Sequence, residues 1–306
     1  MLQSIELTNQ IKKIAANHGF DACGIAKPDV LEKEYNHLKQ WIKEKKHGNM
    51  LYLEKNVDLK ADPRIFFTKT KSLIALTQSY FPSQFQNDES FYKIAKYAYG
   101  NNYHWVLKEK INNFIKSILE LKPDAWLKSF TDSNQLFEKA WAARCGLGWI
   151  GKNTVLINKK FGSFMFISII LTDIELEYDV TVENNCLNCE ECIKACPVNA
   201  LEMPYNLNAS KCISYLTIEN KNSETRKIKG ETKGWIYGCD ICQDVCPMNK
   251  SIPFAKEPLF KSNSKLLQMS KNEWEMLDEE KFLKLFNRSA IKRIGLKKIK
   301  ENIKFA

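Results

Sequence analysis

The sequence predicts an α+β protein in which a mixed helix–strand domain is followed by a short cysteine-rich module. Two observations carry that reading. Segments of helical period alternate with strand-like apolar runs over roughly the first 180 residues. Composition then changes near residue 181, and eight of the ten cysteines fall between 186 and 246. A chain of 306 residues has room for one sizeable core and a smaller module. The expected division is 1–180, 181–255 and a basic helical tail at 256–306.

The elements follow in order. Residues 8–18 have the spacing of an amphipathic helix, FDACGIA after them reads as a strand, and 34–46 reads as a second helix. SLIALTQSYF, 72–81, is a strand candidate. In 102–121 the apolar residues Val106, Ile111, Phe114, Ile115 and Ile118 recur at helical spacing. AWLKSFTD, 125–132, reads as a strand ending in an acid, and FEKAWAARCG, 137–146, as a helix stopped by glycine. TVLIN and SFMFISIILTD look like a strand pair turning at KKFG. The lysine-rich tail, ending in SAIKRIGLKKIKENIKFA, suggests two helices.

Composition narrows the class. Hydrophobic residues are 44% and aromatics 11%, ordinary for a soluble globular protein. The most apolar run, SFMFISIILT, is too short to span a bilayer. The first twenty residues carry acidic and polar side chains where a signal peptide needs an apolar core. A cytoplasmic protein without membrane contact is expected. There thiols stay reduced, so the cysteines point to metal rather than disulfides. Cys23 and Cys145 stand apart and read as small buried hydrophobes. The net charge of +10 attracts polyanions such as nucleic acid, although a merely lysine-rich surface would look the same.

The cysteine spacing is the sharpest signal. Cys186-x2-Cys189-x2-Cys192-x3-Cys196-Pro197 has the spacing of a bacterial ferredoxin motif for [4Fe–4S]. A tight loop aims three thiolates at one cube, and the fourth faces a second cube. Cys239-x2-Cys242-x3-Cys246-Pro247 lacks one member, which Cys212 can supply. Crossed use then assigns Cys186, Cys189, Cys192 and Cys246 to cluster one, and Cys196, Cys212, Cys239 and Cys242 to cluster two. Two four-thiolate zinc sites are the competing reading, but zinc ribbons separate their C-x2-C pairs by longer loops. Two cubes form an electron wire, and the first 180 residues are too many for a scaffold alone. Elsewhere, Gly146, Gly148 and Gly151 make a G-x-G-x-x-G. It follows a helix rather than a strand and lacks an acidic ribose partner. No Walker A or HExxH motif occurs.

Longer segments carry a resemblance. SFTDSNQLFEKAWAARCGLGWIGKNTVLI (129–157), KYAYGNNYHWVLKEK (96–110), ADPRIFFTKTKSLIAL (61–76), CISYLT (212–217) and IYGCDICQDVCPMNK (236–250) resemble epoxyqueuosine reductases. The resemblance runs from about residue 5 to 300. It implies a nitroreductase-like domain binding base-off cobalamin, fed by two [4Fe–4S] clusters. It implies reduction of epoxyqueuosine to queuosine at the tRNA wobble position, with an external low-potential electron donor. Asp132 matches the family's proton donor; read without the family, it is more readily the N-cap of a helix beginning at Asn134 or Gln135. A donor working near neutral pH is expected to have a pKa raised by partial burial. Tyr103 and His104 match the family's YH pair. Trp149, Gly151, Lys152 and Asn153, with Thr217 a weaker candidate, are expected around the cobalamin. Where the family often has G-x-D-Y-H, this chain has Asn102 in place of the acid. The C-terminal helical repeats of longer members are absent. Phosphate contacts are therefore expected from Arg226 and Lys227, and from Lys292 and Arg293. A monomer is expected. A reductive dehalogenase acting on small molecules and a ferredoxin-like carrier are the alternatives; a carrier would bind no cobalamin.

Overall fold

The computed structural model describes residues 2–86, 92–133, 135–221 and 232–306. Its centre is a four-stranded antiparallel sheet in the order Ala22–Ala26, Ser72–Ser79, Met165–Thr172, Leu127–Phe130. Ser72–Ser79 is buried along its whole length, and Met165–Thr172 nearly so. Such continuous apolar runs belong in the middle of a sheet covered on both faces. The pleat sorts their side chains. Ile74, Leu76 and Ile170 point to a core built with Ile11 of Leu2–Asn17 and with Phe114 and Ile118 of Tyr103–Leu121. Leu73, Ala75, Ile169 and Leu171 point the other way, onto Trp141 and Ala142 of Glu138–Arg144.

Two expectations need correction, and a motif set aside in the sequence finds its structural reason. TVLIN and SFMFISIILTD are not a strand pair. Leu156–Ile157 pairs with Trp149–Ile150, and only an Asn158–Gly162 bridge marks the KKFG turn. The apolar strand is drawn instead between two others, where both its faces are covered. The glycines of the G-x-G-x-x-G serve a turn. Gly146 has φ 72°, and a Cβ on Gly148 would lie 2.1 Å from the Ile157 carbonyl oxygen. Finally, 256–306 is no solvated tail. It holds four α-helices, Ser264–Leu267, Lys271–Glu275, Glu279–Phe286 and Gly295–Ile303. Their residues Trp274, Phe282, Phe286 and Ile299 share a core with Tyr92, Ile94, Ile236 and Tyr237. The strand Trp235–Tyr237 pairs in parallel with Lys93–Ile94. The changes of composition at 180 and 255 therefore do not separate independent cores. Among the described residues, no helix is long and apolar enough to cross a membrane.

Candidate active site and cluster ligands

Burial and neighbouring thiols together raise the clustered cysteines. Burial, and then the thiolates of Cys246, Cys186 and Cys189, push the Cys192 thiol up to about 11. Cys239 is pushed up to about 12 by burial, with Cys212 and Cys196 among the groups facing it. Burial, Cys239 and Cys212 raise Cys242 in turn. Thiols that repel one another at close range are the arrangement a bound cationic centre neutralises. Among the described residues, no three His, Cys, Asp or Glu side chains close on a single ion. Cys145 is buried and burial pushes Cys23 up to about 12, as inert packing thiols require.

Beside the cysteines lies a cavity of about 1120 Å³. Its walls are largely apolar, with Leu136, Phe137, Ile150, Met165, Phe166 and Ile167, and polar groups such as Lys60, Lys139 and Asn184 at intervals. Residues 149–154 form a partition between the two. Ile150 and Thr154 face the cavity. Trp149 is buried against Cys186, Cys246 and Met248. Lys152 Nζ donates to the Leu187 carbonyl at 2.7 Å, and Asn153 Nδ2 to the Cys242 carbonyl at 3.3 Å. These residues thus face the cysteine loops rather than open space. Tyr80, on the cavity wall, reaches Gln243 and lies close to Cys242. Thr217 falls elsewhere. It is 0% exposed, donates to the Ile213 carbonyl and accepts from Gly238 N, so its expected contact with a cofactor is replaced by a structural role.

Asp132 also lines the cavity, on the loop after Leu127–Phe130. Its φ of 47° is left-handed, a conformation that non-glycine residues adopt rarely and most often at functional sites. Tyr103 donates its hydroxyl to Asp132 Oδ2, and His104 Nε2 lies 3.3 Å from the same oxygen. The Tyr103 ring is stacked between Phe166 and His104, at 4.3 and 4.1 Å. Asn102 caps the helix Tyr103–Leu121: its Oδ1 accepts from His104 N and lies 3.0 Å from His104 Nδ1. Because that oxygen is an acceptor, Nδ1 carries a proton. Nε2, on the far side of the ring, faces the Asp132 carboxylate. The C-terminal segment supports this turn, since Asn102 N donates to the Arg288 carbonyl at 2.6 Å.

The expected raised pKa of Asp132 is not found. The His104 hydrogen bond pulls it below the ordinary carboxylate value, burial opposes, and Tyr103 and Arg293 add to the lowering. The side chain is 64% exposed, so donors outweigh desolvation. Arg293 is likewise not a free phosphate contact. It pairs with Glu219 and lies close enough to Asp132 and Tyr103 to act on both. Lys292 stays exposed and donates to Asn287 Oδ1. Arg226 and Lys227 lie outside the described residues. Sequence reasoning missed Tyr80 and Glu138 on the wall, because only the fold brings them there.

Paired cysteine sets behind a large apolar cavity, with an acid at its rim, define a redox enzyme of the iron–sulfur class. Residues 185–249 match the family of 4Fe-4S double cluster binding domains. Residues 60–133 match that of epoxyqueuosine reductase QueG. The chain is 43% identical over 295 residues to the epoxyqueuosine reductase of Cellulophaga algicola, covering 96% of each. Among solved structures it is similar to an epoxyqueuosine reductase holding a tRNA-Tyr epoxyqueuosine-modified stem loop. The TM-score is 0.87 and the identity 26%, over 97% of this chain and 80% of that one. The Bacillus subtilis enzyme, captured with its aspartate-bearing catalytic loop swung out of the active site, matches with the same TM-score, identity and coverage. The chain belongs to the epoxyqueuosine reductase family.

Proposed function

We propose that this protein reduces epoxyqueuosine to queuosine in tRNA, with electrons from two [4Fe–4S] clusters and a base-off cobalamin in the large cavity. The observation that carries the reading is the partition 149–154, which sets cluster thiolates on one side and an Asp132-rimmed cavity on the other. A relative of similar fold binds epoxyqueuosine-modified tRNA, and another has an aspartate on its catalytic loop. The cavity fits a corrinoid. It exceeds the usual small-ligand range of roughly 300–1,000 Å³, and its apolar walls with spaced polar groups suit a flat ring with an amide edge. Ile150, Phe166, Met165 and Leu136 would hold the ring's faces.

Opening the epoxide and losing its oxygen as water consumes two electrons and two protons. Bound cobalamin would supply a strongly reducing metal centre, and the clusters single electrons. The chain's own residues handle the proton. Asp132 and His104 hold one between Oδ2 and Nε2, and Tyr103 fixes the carboxylate from the other side. Asp132 delivers that proton to the departing oxygen. The reading includes a cytoplasmic monomer served by an external low-potential donor, with Lys292 touching the RNA backbone.

The test is anaerobic turnover of epoxyqueuosine-containing tRNA by protein with reconstituted clusters, with and without cobalamin, followed by nucleoside mass spectrometry. Loss of one oxygen only with cobalamin is the expected result. No conversion with both cofactors bound overturns the reading.

A further inference from the structure

The loop bearing Asp132 is held by a side chain that no part of the proposed chemistry uses. Glu138 opens the helix Glu138–Arg144 and turns its carboxylate back under the loop. Its Oε2 accepts from Asp132 N at 2.8 Å. Its Oε1 accepts from Ser133 N at 2.7 Å and from Ser133 Oγ at 3.1 Å. On the opposite side Thr131 Oγ1 meets Ser168 Oγ of the central strand at 2.8 Å. Two consecutive backbone N–H groups on one carboxylate fix the peptide planes on both sides of Asp132. That grip maintains a left-handed φ which an aspartate adopts only at some cost. Without it the residue can relax to an extended conformation and carry its carboxylate away from Tyr103 and His104.

We propose that Glu138 is a positioning residue, a latch whose carboxylate holds the Asp132 loop closed over the cavity. The inference rests on the proposed function for its consequence in catalysis, but not for its geometry. Glu138 is half-buried, and desolvation raises its pKa even though backbone N–H groups stabilise its charge. A half-buried acid whose two oxygens are both turned to the loop is consistent with a functional duty. Charge-assisted hydrogen bonds to N–H are about twice as strong as neutral ones, which explains a carboxylate at this position rather than an amide.

The experiment compares Glu138→Gln and Glu138→Ala with the wild type, all with reconstituted clusters and cobalamin. Glutamine keeps one acceptor oxygen but turns an NH2 towards an N–H donor. Alanine removes the latch altogether. Amide hydrogen exchange at Asp132 and Ser133 should quicken by roughly tenfold in the glutamine variant and more in the alanine variant, with the sheet amides unchanged. In single-substrate kinetics kcat should fall roughly tenfold and a hundredfold, in that order, while KM for the modified stem loop stays within about threefold. Unchanged exchange at both amides overturns the latch, whether or not the proteins turn over. Faster exchange with wild-type kcat also overturns it as a positioning residue. An inactive wild type counts against the proposed function, and the exchange measurement still decides the latch.

Discussion

Replacing Asp132 with asparagine isolates its acid from its architecture. Among the standard residues asparagine is one of the most tolerant of left-handed backbone, so φ near 47° costs it little. Its Oδ1 can still accept the Tyr103 hydroxyl, and the latch beneath the loop engages only the backbone of Asp132. What disappears is the anion 3.3 Å from His104 Nε2. In water-like surroundings that attraction is about 1.3 kcal/mol, and screening at these exposed side chains reduces it further. Stability should therefore change by no more than about 1 kcal/mol, a melting shift of a few degrees at most. Loss of a general acid is far larger, roughly 10²–10⁴-fold in rate, or about 3–5 kcal/mol of barrier. The assay is anaerobic single turnover on epoxyqueuosine tRNA, with cluster absorbance and bound corrinoid measured on the same sample. A variant that keeps both cofactors and more than about a tenth of the wild-type rate refutes the role of Asp132 as proton donor.

Further expectations concern neighbouring parts. In His104→Ala the largest influence lowering the Asp132 pKa is gone, so the carboxylate should titrate higher, as read by NMR of carboxyl-labelled aspartate. A depressed folded pKa gives stability that is present above the unfolded value and lost as pH falls through the folded one. The variant should have less of that increment at neutral pH, and an unmoved titration would contradict the assignment. Crossed ligation predicts that Cys192→Ala with Cys196→Ala strips iron from both clusters, whereas Cys196→Ala with Cys212→Ala spares one. Equal iron in the two double variants rules the crossing out. Trp274 is 0% exposed and stacks on Phe286 at 5.5 Å, so Trp274→Ala should destabilise the protein by about 3–5 kcal/mol in denaturant melts. A loss below about 1 kcal/mol would mean that the C-terminal segment is the solvated tail its composition suggests.

How far the sequence could be read depended on how local each cause was. Ser72–Ser79 and Met165–Thr172 were legible because burial on both faces leaves an unbroken apolar run. Their partners were not, since register is settled by which faces the whole fold covers, and so TVLIN was paired wrongly. Ligation spacing is close to a local property, which is why the cysteine motifs alone pointed to the 4Fe-4S double cluster binding domain that residues 185–249 match. Asp132 was distinguishable from a helix cap only by resemblance. Its lowered pKa was invisible, because His104 and Arg293 reach it from distant segments. The C-terminal helices misled for another reason. Lysines on their outer faces dominate the composition and hide Trp274, Phe282, Phe286 and Ile299, which face the core. Thr217 was misplaced because a motif match says where a residue stands in the chain, not which way its side chain points.

The neutral Asn102 bears on how readily the site releases its proton. An acid at that position would place an anion on His104 Nδ1 opposite the one that Asp132 places on Nε2. Two anions would fix a second proton on the ring. Asn102 offers the same oxygen at 3.0 Å and the same cap on His104 N without the charge. His104 Nε2 then faces the carboxylate of Asp132, while Nδ1 meets a neutral amide oxygen. Arg293 compensates in the other direction, since its charge near Asp132 favours the carboxylate form once the proton has left. Its partner Glu219 tempers that effect. The chain thus keeps Asp132, Tyr103 and His104 in contact while carrying less negative charge around the ring. The consequence is a site in which hydrogen bonding, more than local negative charge, keeps His104 aimed at Asp132.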